Sequence, residues 1–154
     1  MSRVFDLPPL AISSLLVAAD QAVKFFVVSS MRLGESIPVM AGVFHVTYIE
    51  NPGAAFGMFA NQRWAFIVAG VAVILAAVAM YRRLIRESAM VRWGAALLLG
   101  GAAGNLIDRV RLGRVIDFLD FRVWPVFNIA DIGICVGVAC LIYALTRDGE
   151  KEKA

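Results

Sequence analysis

Four long runs of apolar residues dominate the chain, and most of the polar residues collect between them. The runs cover about residues 10–28, 64–81, 93–107 and 128–146. A helix of about 20 residues crosses the hydrocarbon layer of a bilayer, and each run approaches that length. The pattern therefore predicts an all-α membrane protein in which four transmembrane helices form a single domain over residues 1–154.

The interval at about residues 29–61 has a different, β-branched composition. Residues 37–39 and 43–49 flank Met-Ala-Gly at 40–42, which is typical of a β-hairpin. We expect a small extracytoplasmic β-sheet on the membrane surface. The interval ends in the Gly-rich and Pro-rich residues 51–57, which predict either a plain turn or a loop whose backbone a ligand can approach closely.

Composition supports the membrane assignment. Of the 154 residues, 60% are apolar and only 18% are charged, so a soluble domain would have too little polar surface. The net charge of +3 suits loops that lie against anionic lipid, and no basic tract indicates a nucleic-acid partner. Cys135 and Cys140 lie in the last apolar run, and we interpret them as packing residues. His45, the only histidine, is interpreted as a strand residue.

Arginines between the second and third runs indicate the orientation. Arg82, Arg83, Arg86 and Arg92 occupy this short interval, which the positive-inside rule assigns to the cytoplasm. Both termini are then cytoplasmic and the hairpin is outside. The predicted inner side carries eight Lys and Arg residues against six outside, so the bias in charge is small.

Two charged residues lie within the first apolar run. Asp20 and Lys24 are four residues apart and therefore share one helix face. Ionisable groups at membrane depth need a partner or a polar interior. Two interpretations stay open, namely a local ion pair near the interface and a pair that braces a polar site inside the bundle.

Polar residues recur at the outer ends of the third and fourth runs. Gly101, Asn105 and Arg109 are spaced by four residues, which predicts a polar stripe on one helix face. Glycines here would let a helix or a substrate approach closely. Asp117 lies in an extended-looking segment, residues 115–119, and Asp131 follows 14 residues later near the start of the fourth run.

Carboxylates are the catalytic groups that this sequence offers, since it lacks the motifs of serine, cysteine and zinc hydrolases. If Asp117 and Asp131 face each other, they could share one proton and activate a water molecule. Spacing alone leaves structural roles equally open. Asp131 could complete a helix cap with Asn128, and Asp117 could pair with Arg109 or Arg114.

Two neighbouring acids are interpreted as structural. Asp108 is expected to pair with the adjacent Arg109, and Asp120 with the nearby Arg122. A small proton-coupled transporter is the alternative class of function, with the buried acids as a relay. The grouping of acids at one membrane side and the absence of an inverted repeat disfavour it, and a purely structural assembly protein is also disfavoured.

Five motifs then occur in a fixed order along nearly the whole chain. They are Asp20-Gln21-x-x-Lys24, Asn51-x-Gly53-Ala54-Ala55-Phe56, Gly104-Asn105-Leu106-Ile107-Asp108-Arg109, Val115-Ile116-Asp117-Phe118 and Phe127-Asn128-x-Ala130-Asp131. One such motif would be a weak signal, whereas the ordered set is specific. The set resembles the bacterial lipoprotein signal peptidases, also called signal peptidase II.

The resemblance implies an aspartic endopeptidase of the bacterial inner membrane with its site near the outer leaflet. Such an enzyme cuts diacylglyceryl-modified prolipoproteins just before the lipidated cysteine, needs no metal or cofactor, and is inhibited by the cyclic peptide globomycin. The resemblance implies that Asp117 and Asp131 are catalytic. It implies substrate-binding or supporting roles for Asn51, Gly53, Gly101, Asn105, Arg109, Asn128, Asp20 and Lys24. One four-helix bundle would suffice for this chemistry, so we expect a monomer in contact with membrane lipids.

Overall fold

Four long helices build the protein. The computed structural model describes residues 8–53 and 62–151. The helices are α1 (Pro9–Ser30), α2 (Arg63–Leu84), α3 (Ala89–Leu112) and α4 (Ile129–Lys151), and all four are long and apolar enough to cross a membrane. The prediction of four spans is confirmed. The helices are longer than the apolar runs, since their first and last turns include polar residues that lie outside those runs.

Local signals set the ends of α3. Ser88 precedes the helix, and its hydroxyl accepts a hydrogen bond from the backbone N–H of Val91 at 3.4 Å. Gly113 ends the helix with φ at 77°, a left-handed conformation that glycine adopts readily. Arg63 at the start of α2 donates to the carbonyls of Arg109 and Val110, both at 2.9 Å. These bonds fix the start of α2 against the end of α3.

A three-stranded antiparallel sheet lies at one end of the bundle. Its strands, in spatial order, are β1 (Ser36–Met40), β2 (Phe44–Asn51) and β3 (Val115–Asp120). The predicted hairpin of β1 and β2 is confirmed. The extended segment after α3 is the third strand, which the sequence did not assign to the sheet. Its pairing with β2 brings Asp117 close to Asn51.

The central helix is α3, which packs against the three other helices. Its contact with α4 is close, because a Cβ on Gly101 would lie 2.3 Å from the carbonyl oxygen of Ala130. By contrast, α2 has no buried residue and packs mainly against α3.

A small apolar core attaches the sheet to the bundle. Val27 of α1 packs with Tyr48 of β2 and with Ile116 and Phe118 of β3, and all four are buried. Burial of such side chains stabilises the contact by about 1.5–3 kcal/mol each. The core therefore holds β3, and with it Asp117, in a fixed place above the helices.

Candidate active site

A cavity of about 820 Å³ opens between α2, α3, α4 and β3. Apolar side chains line most of it, including Phe66 and Val73 from α2, Leu98 and Leu106 from α3, and Ile132 and Val136 from α4. Polar side chains collect at the end near the sheet, and they are Asn51, Asn105, Arg109, Asp117 and Asp131. With Gly53, which also lines the cavity, six of the residues predicted from the sequence are brought together on one surface.

Asp117 projects from β3 and is almost fully buried, with 2% of its surface exposed. The side-chain amide of Asn51 donates to its Oδ2 at 2.9 Å, and that of Asn128 donates to its Oδ1 at 2.7 Å. Burial, and after it the nearby negative charge of Asp131, together raise the pKa of Asp117 from 3.8 to about 7. The carboxyl group is thus close to half-protonated at neutral pH.

The expected partners of Asp117 are used elsewhere. Arg114 lies 3.6 Å from Glu50, and the guanidinium of Arg109 stacks over the Phe66 ring with 4.5 Å to the ring centroid. Asp117 is therefore held by amide donors, and within residues 8–53 and 62–151 it forms no ion pair. A carboxyl group so held remains free to gain and lose a proton.

Asp131 lies in the first turn of α4 and combines two of the predicted roles. Its Oδ2 accepts from the backbone N–H of Asn128 at 3.1 Å, while the Asn128 Oδ1 accepts from the backbone N–H of Asp131 at 2.9 Å. This is a reciprocal capping box. Its Oδ1 accepts from the amide of Asn105 at 2.8 Å and the residue lines the cavity. Capping and a place in the site therefore do not exclude each other.

Two buried asparagines link the acids behind the cavity. The Asn128 side-chain amide donates to Asp117 and also to the Oδ1 of Asn105 at 3.2 Å. The Nδ2 of Asn105 in turn donates to Asp131. Each carboxylate oxygen has one donor, so a second lone pair on each is left for a ligand. The asparagines orient both carboxyl groups.

Asp20 and Lys24 form an ion pair at 2.8 Å inside the bundle, and both are fully or almost fully buried. This favours the bracing interpretation. The expected pair of Asp108 and Arg109 is wrong, because Asp108 faces α1 and lies 2.7 Å from Lys24. Adjacent helix residues point in directions about 100° apart, so Arg109 faces the cavity instead.

The Asn-x-Gly motif closes a local turn at the end of β2. The Asn51 Oδ1 accepts from the backbone N–H of Gly53 at 3.0 Å, which turns its amide nitrogen towards Asp117. Arg109 donates to the carbonyl of Gly53 at 3.4 Å. The motif therefore positions one hydrogen-bond donor of the site, while Ala54, Ala55 and Phe56 lie outside the described residues.

Other predictions can be compared with the structure. Asp120 pairs with Arg122 at 2.9 Å, as expected, and is not on the cavity. Gly101 lies in the α3–α4 contact rather than on the cavity surface. Cys135 and Cys140 are free thiols, and Cys135 lies on the cavity wall. Across the described ranges, no three His, Cys, Asp or Glu side chains are grouped as metal ligands would be.

Sequence reasoning missed the aromatic segment that lines the cavity near its polar end. Phe121, Trp124 and Phe127 line it, and the Phe121 and Phe127 rings stack with centroids 5.9 Å apart. Three aromatic residues within seven positions just before Asn128 were the available signal. They enclose the polar end of the site in an apolar wall.

A four-span membrane bundle with two asparagine-held aspartates on one apolar cavity defines a class of polytopic membrane protein with a carboxylate site. The family profile of signal peptidase (SPase) II matches residues 12–147. The chain belongs to this family of lipoprotein signal peptidases, and it is a multi-pass peptidase of the bacterial inner membrane.

Individual relatives agree with the family profile. A lipoprotein signal peptidase of Moorella thermoacetica is 46% identical over 139 residues, which are 90% of this chain and 93% of the relative. One from Halothermothrix orenii is 47% identical over 131 residues, 85% and 90% of the two chains. A bacterial membrane enzyme solved by the in meso method at 2.3 Å superposes with a TM-score of 0.85 at 31% identity, covering 93% of this chain and 90% of that chain. The transporter alternative is set aside.

Proposed function

We propose that this protein is an aspartic endopeptidase that removes the signal peptide from diacylglyceryl-modified prolipoproteins, cutting just before the lipidated cysteine. The observation that carries the proposal is the shared cavity of Asp117 and Asp131, which reach it from different elements and are oriented by amide donors. Family membership supplies the substrate class, since the relatives are lipoprotein signal peptidases.

The two aspartates supply both the acid and the base that peptide hydrolysis requires. With one proton shared between them, the ionised carboxylate takes a proton from a water molecule, whose oxygen attacks the scissile carbonyl carbon. The protonated carboxyl group donates to the carbonyl oxygen, which gives a neutral tetrahedral diol. Collapse of the diol returns a proton to the leaving nitrogen, and the lipidated cysteine then carries a free amino terminus. A pKa of about 7 for Asp117 supports a singly protonated pair at neutral pH.

The shape of the cavity suits a substrate that arrives within the bilayer. Its walls between α2 and α4 are apolar, and its polar groups are confined to the end near the sheet. An apolar signal helix would lie along the apolar part, and the acyl chains would stay in the lipid. The scissile peptide would then meet Asp117 and Asp131 at the membrane boundary, with the β1–β2–β3 sheet as a cradle above it.

The arginines of the α2–α3 turn support a cytoplasmic location for that end of the bundle and for both termini. The site is then near the outer leaflet. Asn51, Gly53, Asn105, Arg109 and Asn128 are assigned to substrate binding or to support of the aspartates. Sensitivity to globomycin, contact with membrane lipids and a monomeric state belong to the same proposal.

The test is cleavage of a diacylated prolipoprotein by the purified protein, followed by a gel shift and by mass spectrometry of both products. Asp117→Asn and Asp131→Asn should each abolish turnover. Asp120→Asn is the matched control, because Asp120 is a buried acid on the same strand that does not line the cavity. This variant should keep turnover within a few-fold of the wild type.

Lipidation provides the second arm of the test. The same prolipoprotein without its diacylglyceryl group should not be cut, and the mass of the product should place the new amino terminus at the lipidated cysteine. Turnover by either of the first two variants would refute the dyad. Equal cleavage of the unlipidated substrate would refute the substrate assignment.

A further inference from the structure

Lys24 places a buried ammonium group behind the site, and each of its three N–H bonds has an acceptor. The Nζ lies 2.8 Å from Asp20 Oδ2, 2.7 Å from Asp108 Oδ2 and 3.2 Å from Asn105 Oδ1. Lys24 is 1% exposed and does not line the main cavity. It therefore has no direct contact with a substrate there, and its effect must pass through its three acceptors.

Each carboxylate acceptor holds the residue that precedes one of the two proposed catalytic acids. Asp108 Oδ2 accepts from the backbone N–H of Ile116 at 3.2 Å, directly before Asp117. Asp20 Oδ1 accepts from the backbone N–H of Ala130 at 3.0 Å, directly before Asp131. Through these two carboxylates, one cation joins the start of β3 to the start of α4.

The third acceptor controls the orientation of an amide. Asn105 Oδ1 faces two donors, Lys24 Nζ and Asn128 Nδ2, both at 3.2 Å. Its NH₂ group must then point to Asp131, where it donates to Oδ1 at 2.8 Å. A reversed amide would place NH₂ against an ammonium group and its oxygen against a carboxylate, which is unfavourable on both sides.

We propose that Lys24 is a positioning residue for hydrolysis, which sets the relative placement of Asp117 and Asp131 and turns the Asn105 amide towards Asp131. This role rests on the aspartic dyad proposed above. It is more than a structural ion pair, because all three contacts of the ammonium group lead to the proposed catalytic acids.

Other charged groups face the same region as Lys24. A second cavity of about 170 Å³ is lined by Lys24, Asp108, Glu50 of β2 and Arg111 of α3. Removal of Lys24 alone would leave Asp20 and Asp108 buried without their cation, which endangers folding. The double variant Lys24→Met with Asp108→Asn removes one charge of each sign, so the net charge of the cluster stays as in the wild type and one buried carboxylate is left instead of two.

The experiment compares four variants with the wild type on diacylated prolipoprotein. They are Lys24→Met, Asp108→Asn, the double variant, and Arg83→Met as a control for loss of a cation in an exposed pair. We expect Asp108→Asn to keep measurable hydrolysis, because an amide oxygen can still accept from Ile116 and Lys24. We expect kcat to fall about 10- to 100-fold in both Lys24 variants, since small displacements of catalytic groups have effects of this size. KM should change by less than about threefold.

The pH profile separates positioning from a merely structural role. Lys24 is a positive charge that lowers the pKa of Asp117, the acid expected to hold the shared proton. Loss of that proton sets the alkaline limb of kcat, so removal of Lys24 should move this limb to higher pH. The limb should not move in Arg83→Met. Thermal midpoints show that the variants compared are folded.

The outcomes distinguish this inference from the proposed function. If Asp117→Asn keeps turnover in the same assay, the dyad is refuted and the role of Lys24 falls with it. If the dyad variants are inactive while the double variant equals Asp108→Asn in kcat and in pH profile, only the role of Lys24 is overturned. Failure of both Lys24 variants to fold would make Lys24 a folding residue and would also overturn the positioning role.

Discussion

Replacement of Asp117 by asparagine should inactivate the protein and, at alkaline pH, make it more stable. Asp117 is 2% exposed, and its pKa is raised from 3.8 to about 7 by burial and by Asp131. The ionised form is therefore disfavoured in the folded state. An amide of nearly the same shape removes that charge, so the site loses a functional group and a source of instability together.

The size of the effect follows from the two pKa values of Asp117. Because the folded protein holds this proton more tightly than the unfolded chain, the free energy of unfolding decreases as the pH rises from about 4 through about 7. The difference between 3.8 and about 7 corresponds to about 4 kcal/mol at 1.36 kcal/mol per pH unit. An amide cannot accept from both Asn51 and Asn128, and the lost hydrogen bond costs about 1–2 kcal/mol. A net gain of about 2 kcal/mol remains above neutral pH.

Thermal unfolding of the detergent-solubilised protein measures this gain. For a chain of this size, about 2 kcal/mol raises the midpoint by about 4–8 °C. We expect that increase at about pH 8.5 and almost none at about pH 5, where the wild-type folded carboxyl is protonated. Asp120→Asn is the control of opposite sign, because it weakens the contact of Asp120 with Arg122. A lower midpoint for Asp117→Asn at pH 8.5, or the same difference at both pH values, would refute the assignment of a destabilising buried charge.

Two further changes test the support of the site. Asn128→Ala should abolish most turnover. It should also lower the free energy of unfolding by about 2–3 kcal/mol in chemical denaturation, because it leaves buried partners without hydrogen bonds. Unchanged stability would contradict the proposed link between the acids. Gly101→Ala should lower the thermal midpoint, since overpacking typically costs about 1–3 kcal/mol and the new Cβ would lie 2.3 Å from the carbonyl oxygen of Ala130. Gly70→Ala is its control, with a nearest contact at 3.5 Å, and equal effects of the two would show that α3 and α4 can separate freely.

The parts of the fold that could be predicted are those that a hydrophobic pattern within one continuous segment determines. Each membrane span is a single apolar run, and the β1–β2 hairpin has both strands and its turn within 16 residues, Ser36 to Asn51. The membership of β3 in the sheet was not predictable in the same way. It depends on pairing between segments that a whole pair of helices separates, and no local pattern encodes that register.

The partners of the charged residues were predictable only in part. Because Asp108 and Arg109 are adjacent in sequence, an ion pair between them was expected. Neighbouring helix residues point in different directions, however, and the packing of α1 on α3 places Asp108 beside Lys24. For Asp131, spacing left capping and a role in the site as alternatives. Since a carboxylate has two oxygens and four lone pairs, three-dimensional structure allows both at once.

The donors around the two acids indicate which of them holds the shared proton. Asp131 accepts a backbone N–H at the amino terminus of α4, where the helix dipole favours a negative charge. Asp117 accepts only from side-chain amides, and its pKa is about 7. We therefore expect Asp117 to carry the proton at rest and Asp131 to act as the base towards water. In infrared spectra at about pH 6, the carbonyl band of a protonated carboxyl group should then disappear in Asp117→Asn and persist in Asp131→Asn. If the band instead disappeared in Asp131→Asn and persisted in Asp117→Asn, Asp131 would be the protonated acid and Asp117 the base. The cap of α4 would then be made by a protonated carboxyl group.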